Sequence, residues 1–204
     1  DPGADQLKLL QVAAGEPAQI AAMAAEPVPE SARGDAEARH AFMEEALPRL
    51  LQQGGFRGRR TMCAIPAFNT YVHHLDIAMN QKVSRDQQLE SQLRERLNIE
   101  PSRMVVRSFD VGTVQREAGQ FSRVIALAAK RDKVMKYVDL AHRCRLEVVG
   151  MHSEPLCVVR AFSHLFRRVT DGERTCCFID LGASTTKVTI AHGQEMVFTK
   201  RSEE

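Results

Sequence analysis

The chain has 204 residues, 44% of them hydrophobic and 26% charged, and a formal net charge of +2. That length supplies a core for one large domain or two small ones, and the intermixed charges give no electrostatic case for nucleic acid. No apolar run approaches the roughly 18 residues of a membrane span, and the N-terminus has neither a basic n-region nor an apolar signal core.

Residues 7–12 (LKLLQV) and 18–25 read as two short strands around Ala14-Gly15-Glu16, and Pro27 and Pro29 end the regular structure. From Ala36 to Gln53 apolar residues recur at helical spacing, with Pro48 expected to kink the helix or mark a junction. Gly54-Gly55 closes that segment, and RRTMCAIPAF reads as a strand ending at Pro66. TYVHHLDI is the next strand. Ser84 then opens a helix, with Gln87 three residues on as in a capping box and Leu89, Leu93 and Leu97 along one face.

After Pro101 come a strand (RMVVRSFDV), a turn region, a strand (RVIALAAK), a helix from Asp132 to Cys144 and a strand (LEVVGM). Ser153 is expected to cap a helix whose first turn holds Glu154 and Pro155. Its buried side should be Leu156, Val159, Phe162, Leu165 and Phe166. A turn at Thr170–Glu173 leads into CCFIDLGASTTKVTIAHGQEMVF, which reads as strand, tight turn, strand, turn at His192-Gly193-Gln194, and strand.

The five cysteines, Cys63, Cys144, Cys157, Cys176 and Cys177, lie in apolar surroundings without metal-ligand spacing, so they read as buried free thiols of a reducing cytosol. Met23, Met43 and Met62 read as core fillers. His73 and His74 are adjacent on a strand, so their side chains should point to opposite faces and share no site.

The most informative pattern is an internal repeat. Asp1, Gly3, Ala4 and Lys8 of DPGADQLKLLQVAAG match Asp180, Gly182, Ala183 and Lys187 of DLGASTTKVTIAHG at one constant offset. A glycine just after a strand lets the backbone bend sharply and present N–H groups to an anion. Ser184, Thr185 and Thr186 offer hydroxyl donors, and Asp180 at a strand end suits magnesium, directly or through water. The glycine turn leads into a strand, so this is neither a P-loop nor a Rossmann fingerprint. The residues alone serve equally for two ordinary β-hairpins whose aspartates cap turns.

Two D-x-G-x-x-x-x-K hairpins, one at the start of each half, resemble the two phosphate loops of the actin-like ATPase superfamily. Within it, VHHLDI, VIALAAKRDKVMKYVDLAHRCRLEVVGMHSEPLCVVRAF and FIDLGASTTKVTI look like the PilM family of type IV pilus assembly proteins, kin of the cell-division protein FtsA. The resemblance implies an α/β, actin-like ATPase (ribonuclease H-like) fold. Its first lobe would be 1–68 and 150–170, with a small α/β subdomain inserted at 69–149. The second lobe would start at 174 and be truncated at 204, so that the chain looks like a fragment.

The same resemblance implies ATP and magnesium in the cleft of a cytoplasmic protein, peripheral at the inner membrane. Gly3, Ala4 and Lys8 of the first loop and Gly182, Ala183, Ser184, Thr185 and Thr186 of the second would hold phosphates, with Asp1 and Asp180 toward the metal; no catalytic residue is marked. The partner implied is the cytoplasmic tail of a PilN-like membrane subunit, gripped between the first lobe and the inserted subdomain, with self-association open. The chain departs from the family pattern in its first loop, where Pro2 removes an N–H and Asp5 places a carboxylate near the phosphate position. A scaffold of the same fold that has lost its nucleotide is therefore the alternative, and a small-molecule kinase a third reading that lacks an identifiable base.

Overall fold

The computed structural model describes residues 1–79, 82–166, 168–183 and 185–203. Its contacts divide into two units, Asp1–Pro66 with Lys136–His152 and Gly182–Ser184, and Ala67–Met135 with Ser153–Leu181 and Thr185–Glu204.

In the first unit, β1 (Gln6–Ala13) and β2 (Gln19–Pro27) pair antiparallel. Alternation turns Leu7 and Leu9 to one face, where Ala24 joins them. There they meet Met43, Ala46, Leu47 and Leu50 of helix α2 (Ala36–Gln53) and Leu140 of α4 (Arg131–Arg143). A short helix α1 (Glu30–Arg33) precedes α2, and Asp35 caps α2 by accepting from the Glu37 and Ala38 N–H groups. Pro48 neither ends α2 nor divides it. Proline costs the helix the hydrogen bond to the Glu44 carbonyl, and the buried stripe on both sides of Pro48 holds one continuous helix. Strand β3 (Arg60–Ile65) pairs with β7 (Glu147–Ser153) in a second small sheet.

The methionines divide against expectation. Met43 is buried, but Met23 is 72% and Met62 66% exposed. On β2 the small Ala22 and Ala24 take the half-buried positions, and period-2 alternation sends Met23 outward with Leu10 opposite it.

The second unit is built on the antiparallel order β4-β6-β5, from β4 (Tyr71–Ala78), β5 (Met104–Arg116) and β6 (Gly119–Lys130). The turn region expected after RMVVRSFDV is instead ladder, continuing to the Arg116–Gly119 pair. A bulge between Asp110 and Gly112 absorbs the irregularity, and Gly112 there has φ 141°, which glycine alone adopts without strain. On one face Leu75, Ile77, Val124, Ala126 and Ala128 pack against Leu89 and Leu93 of α3 (Arg85–Leu97). On the other, Ile125 and Leu127 meet Val159 of α5 (Glu154–Ala161), Ala191 of β9 (Thr185–His192) and Met196 of β10 (Glu195–Glu203). Strand β8 (Thr175–Leu181) completes the order β10-β9-β8 and is an edge of that sheet.

The capping box of α3 forms as the sequence indicates. The Ser84 hydroxyl accepts from the Gln87 N–H, and the Gln87 carboxamide accepts from the Ser84 N–H. Ser84→Ala is expected to lower stability by about 1 kcal/mol, with Ser84→Thr within a few tenths of wild type, as read from urea denaturation. Ser153 is different. It occupies the N-cap position of α5, but its hydroxyl makes no cap bond and is buried without a hydrogen-bond partner among the described residues. Phe162 is also not on the buried side: α5 ends at Ala161, and the Phe162 ring stacks on Phe178 at 5.3 Å while remaining 43% exposed. The Leu165 side chain lies outside the description; Val159 and Phe166 are buried as expected.

All five cysteines are free thiols, and none is fully buried; Cys177 is exposed. Partial burial pushes the thiols of Cys63, Cys144 and Cys157 above their ordinary value. Neighbouring His73 and His74 do face opposite ways: His74 stacks on Phe198 at 5.2 Å. Burial first, and then the charges of Arg96 and His74, lower the His73 pKa.

Candidate functional site

The two halves of the repeat fold into the same local arrangement. In the second copy, β8 and β9 pair antiparallel so that Asp180 stands opposite Lys187 and Leu181 opposite Thr186. In the first, the Lys8 N–H donates to the Asp1 carbonyl at 2.9 Å and Pro2 bridges to Leu7. Aspartate therefore faces lysine, and the next residue inward faces its partner, in both copies. An antiparallel ladder places such opposed side chains on one side of the sheet. The ion pair follows, at 2.8 Å for Lys187–Asp180 and 3.8 Å for Lys8–Asp1.

The surroundings then separate the copies. Lys8 and Asp1 are both about half exposed, with side chains 54% and 47% accessible. Lys187 is 9% exposed and carries a second carboxylate partner, Glu154. Glu154 opens α5, and its other oxygen accepts from the Ala67 N–H at 3.1 Å. Burial works against the lysine's charge, but hydrogen bonds from its ammonium group to Asp180 and Glu154 outweigh that and hold its pKa above the ordinary value. The centre is thus one buried cation shared by two carboxylates, at the foot of the turn through Gly182 and Ala183. Beside it, Thr189 and Thr199 form a buried hydroxyl pair at 3.1 Å.

Asp180, Thr185, Thr186 and Lys187 are together on the β8–β9 hairpin, with Gly182 and Ala183 in its turn; Ser184 lies outside the described residues. Sequence reading passed over Glu154 as a site residue. The SEPL segment offers a signal only in hindsight, because Glu154 lies 33 positions from Lys187 and meets it by tertiary packing.

The first loop closes largely on itself. Arg39 of α2 donates to the Gly3 carbonyl, and burial lowers the pKa of that guanidinium. The Asp5 carboxylate pairs with Arg33 at 3.4 Å, and its carbonyl accepts from the Val28 N–H at 2.7 Å. Gly3 itself sits in a tight turn: a Cβ there would lie 3.0 Å from the Gln6 carbonyl. Ala4 follows it in a bend.

The second loop has the donor set that a magnesium–phosphate group takes, one partly exposed carboxylate beside a glycine turn and threonine hydroxyls. The first does not match it as well, since Pro2 lacks an N–H and Asp5 is committed to Arg33. Among the described residues no three His, Cys, Asp or Glu side chains gather as a metal cluster.

The family model described as type IV pilus assembly protein PilM matches residues 1–203. This chain belongs to the PilM family. The solved structure of the PilM-PilN type IV pilus biogenesis complex superposes with a TM-score of 0.78 at 19% identity, covering 98% of this chain and 59% of that one. The cytoplasmic domain of EpsL, an inner-membrane component of the type II secretion system of Vibrio cholerae, superposes with a TM-score of 0.56 at 12% identity. It covers 98% of this chain and 67% of that one. No curated protein matches the chain. The fold is the actin-like ATPase fold of these neighbours, and the chain spans about 59% of the length of the PilM chain it superposes on. No helix among the described residues is long and apolar enough to cross a membrane.

Proposed function

We propose that this protein is a scaffold of type IV pilus or related secretion machinery. In this reading it works on the cytoplasmic face of the inner membrane and binds the cytoplasmic tail of a PilN-like subunit. The observation that carries the proposal is the family match over residues 1–203, supported by the superposition on PilM from a PilM-PilN complex. The domain reading goes with it: a first lobe at 1–68 and 150–170, an inserted subdomain at 69–149, and the beginning of a second lobe at 174–204.

The second loop is the part suited to nucleotide. Gly182, Ala183, Thr185 and Thr186 would face phosphate oxygens, and Asp180 would hold magnesium directly or through water. Magnesium would supply positive charge against the phosphates. The chain's own contribution is positional: Lys187, itself held by Glu154, pairs with the Asp180 carboxylate at the strand end. In the first loop, Gly3, Ala4, Lys8 and Asp1 would make the matching contacts. Asp5, paired with Arg33, and the missing N–H of Pro2 favour the second reading, a scaffold of the same fold that works without nucleotide.

Titration of the full chain with a fluorescent ATP analogue and magnesium separates the two. Wild type is expected to bind, and Asp180→Ala to bind about 10- to 100-fold more weakly, the range seen when carboxylates that order a metal site are removed. No binding by wild type establishes the nucleotide-free scaffold; equal binding by Asp180→Ala refutes the assignment of Asp180. Pull-down on synthetic N-terminal tails of PilN-like subunits tests the partner, and capture of none of them refutes the scaffold role.

A further inference from the structure

The loop between α2 and β3 is strongly basic, with no acidic partner among the described residues. No Asp or Glu occurs between Glu45 and Asp76, a stretch that carries Arg49, Arg57, Arg59 and Arg60. Arg49 pairs with Glu26, and Arg33, Arg85, Arg94 and Arg143, also close to element ends, each pair with a carboxylate. Arg57, Arg59 and Arg60 are exposed, and none lies within ion-pair distance of a carboxylate among the described residues.

The backbone that presents them is fixed. The Gln11 carboxamide grips Arg57 twice, donating to its carbonyl at 2.6 Å and accepting its N–H at 2.9 Å. The Arg59 carbonyl accepts the Glu147 N–H at 2.7 Å, and Arg60 opens β3. That last bond brings a fourth arginine to the same end of the β3–β7 sheet. Arg145, exposed and left-handed at φ 61°, lies two residues before Glu147 and is likewise unpaired among the described residues. Glu147 is the one carboxylate on these segments.

We infer that Arg57, Arg59, Arg60 and Arg145 form a docking surface for phosphate-bearing anionic lipid at a membrane face. Planar guanidinium forks match phosphate oxygens bidentately, and basic side chains gathered at one place gain attraction from an anionic leaflet. The surface lacks what single-stranded RNA needs, an aromatic platform for bases. Phe56, the one aromatic residue of the loop, lays its ring against Gly54, where an added Cβ would meet it at 2.3 Å. The exposed residue that follows along the strand is apolar Met62, which suits an interfacial zone.

Co-sedimentation of the full chain with vesicles tests this, using phosphatidylcholine alone and phosphatidylcholine mixed with phosphatidylglycerol. The expected result is binding only to the mixed vesicles, weakening as salt shortens the screening length. Each arginine contributes about a five-fold increase in partitioning. The combined Arg57→Ala, Arg59→Ala, Arg60→Ala variant should therefore bind about 100-fold less, with an unchanged thermal melt by circular dichroism. The matching triple lysine variant should keep most of the binding. The proposal is overturned if the alanine variant binds like wild type, or if phosphatidylcholine alone binds equally. It is also overturned if an RNA oligomer of matched charge displaces the vesicles and is itself lost with the three arginines. Asp180→Ala should bind vesicles normally, so failure here and failure of the nucleotide reading are separate results.

Discussion

Replacing Lys187 with methionine is expected to destabilise the protein by about 3 kcal/mol, because it removes the cation that Asp180 and Glu154 share. Breaking a buried pair by deleting one partner leaves uncompensated charge, and two carboxylates are left here. The lower part of the usual range applies, since the Asp180 side chain is 38% exposed and water offsets some of the loss. Adding Glu154→Gln should recover part of the deficit, because one carboxylate then remains with no like-charged neighbour. Urea denaturation of the single and double variants reads this out. A single variant within about 0.5 kcal/mol of wild type, the range of a neutral surface change, would show that the lysine is not a structural centre.

The same contact has a pH signature. The folded pKa of Lys187 lies above its ordinary value of 10.5. Its contribution is therefore complete below the unfolded pKa and is lost as pH rises through the folded one. Alkaline denaturation should narrow the gap between wild type and the Lys187→Met variant, and a gap that widens would contradict the assignment.

The second large effect lies in the core of α3. Leu93 is fully buried between that helix and the β4-β6-β5 sheet. Leu93→Ala should cost about 4 kcal/mol, combining lost transfer energy with the cavity left behind. Leu93→Met, which keeps the volume, should stay under about 1.5 kcal/mol. A small effect of the alanine variant in denaturation would mean that the helix collapses onto the sheet and refills the space.

Much of this architecture is legible in the chain because local chemistry and tertiary placement agree there. Ser84 and Gln87 cap α3, Leu89 and Leu93 are its buried stripe, and DLGAST marks the β8–β9 turn. The failures arise where burial depends on what covers a face. Met23 and Met62 have the composition of core residues, yet stand on the uncovered sides of their strands. Ser153 has the residue type of a cap, but its backbone leaves β7 directly into α5 and its hydroxyl finds no partner among the described residues. The ladder through residues 111–122 was hidden by a bulge that interrupts the alternation.

The site divides in the same way. The Asp–Lys pairing in each hairpin is a consequence of register, and the repeat made both hairpins visible. Glu154 was not visible as a member, because nothing local ties the start of α5 to a strand 33 residues on. Its contact is decided by packing of α5 against β9 and β10, which sequence period does not encode.

Alternation along β8 also governs how this protein responds to oxidation. Cys176 and Cys177 are neighbours in sequence, but a strand turns successive side chains to opposite faces, which keeps their sulfurs from closing a bond while the ladder is intact. Cys177 sits with Ile179 and Leu181 on the exposed side of an edge strand. The expected product of oxidation is therefore an intermolecular disulfide through Cys177, which non-reducing electrophoresis of wild type against Cys177→Ser checks, a dimer that survives in the serine variant contradicting it. Cys176, half-buried, is turned to the opposite face.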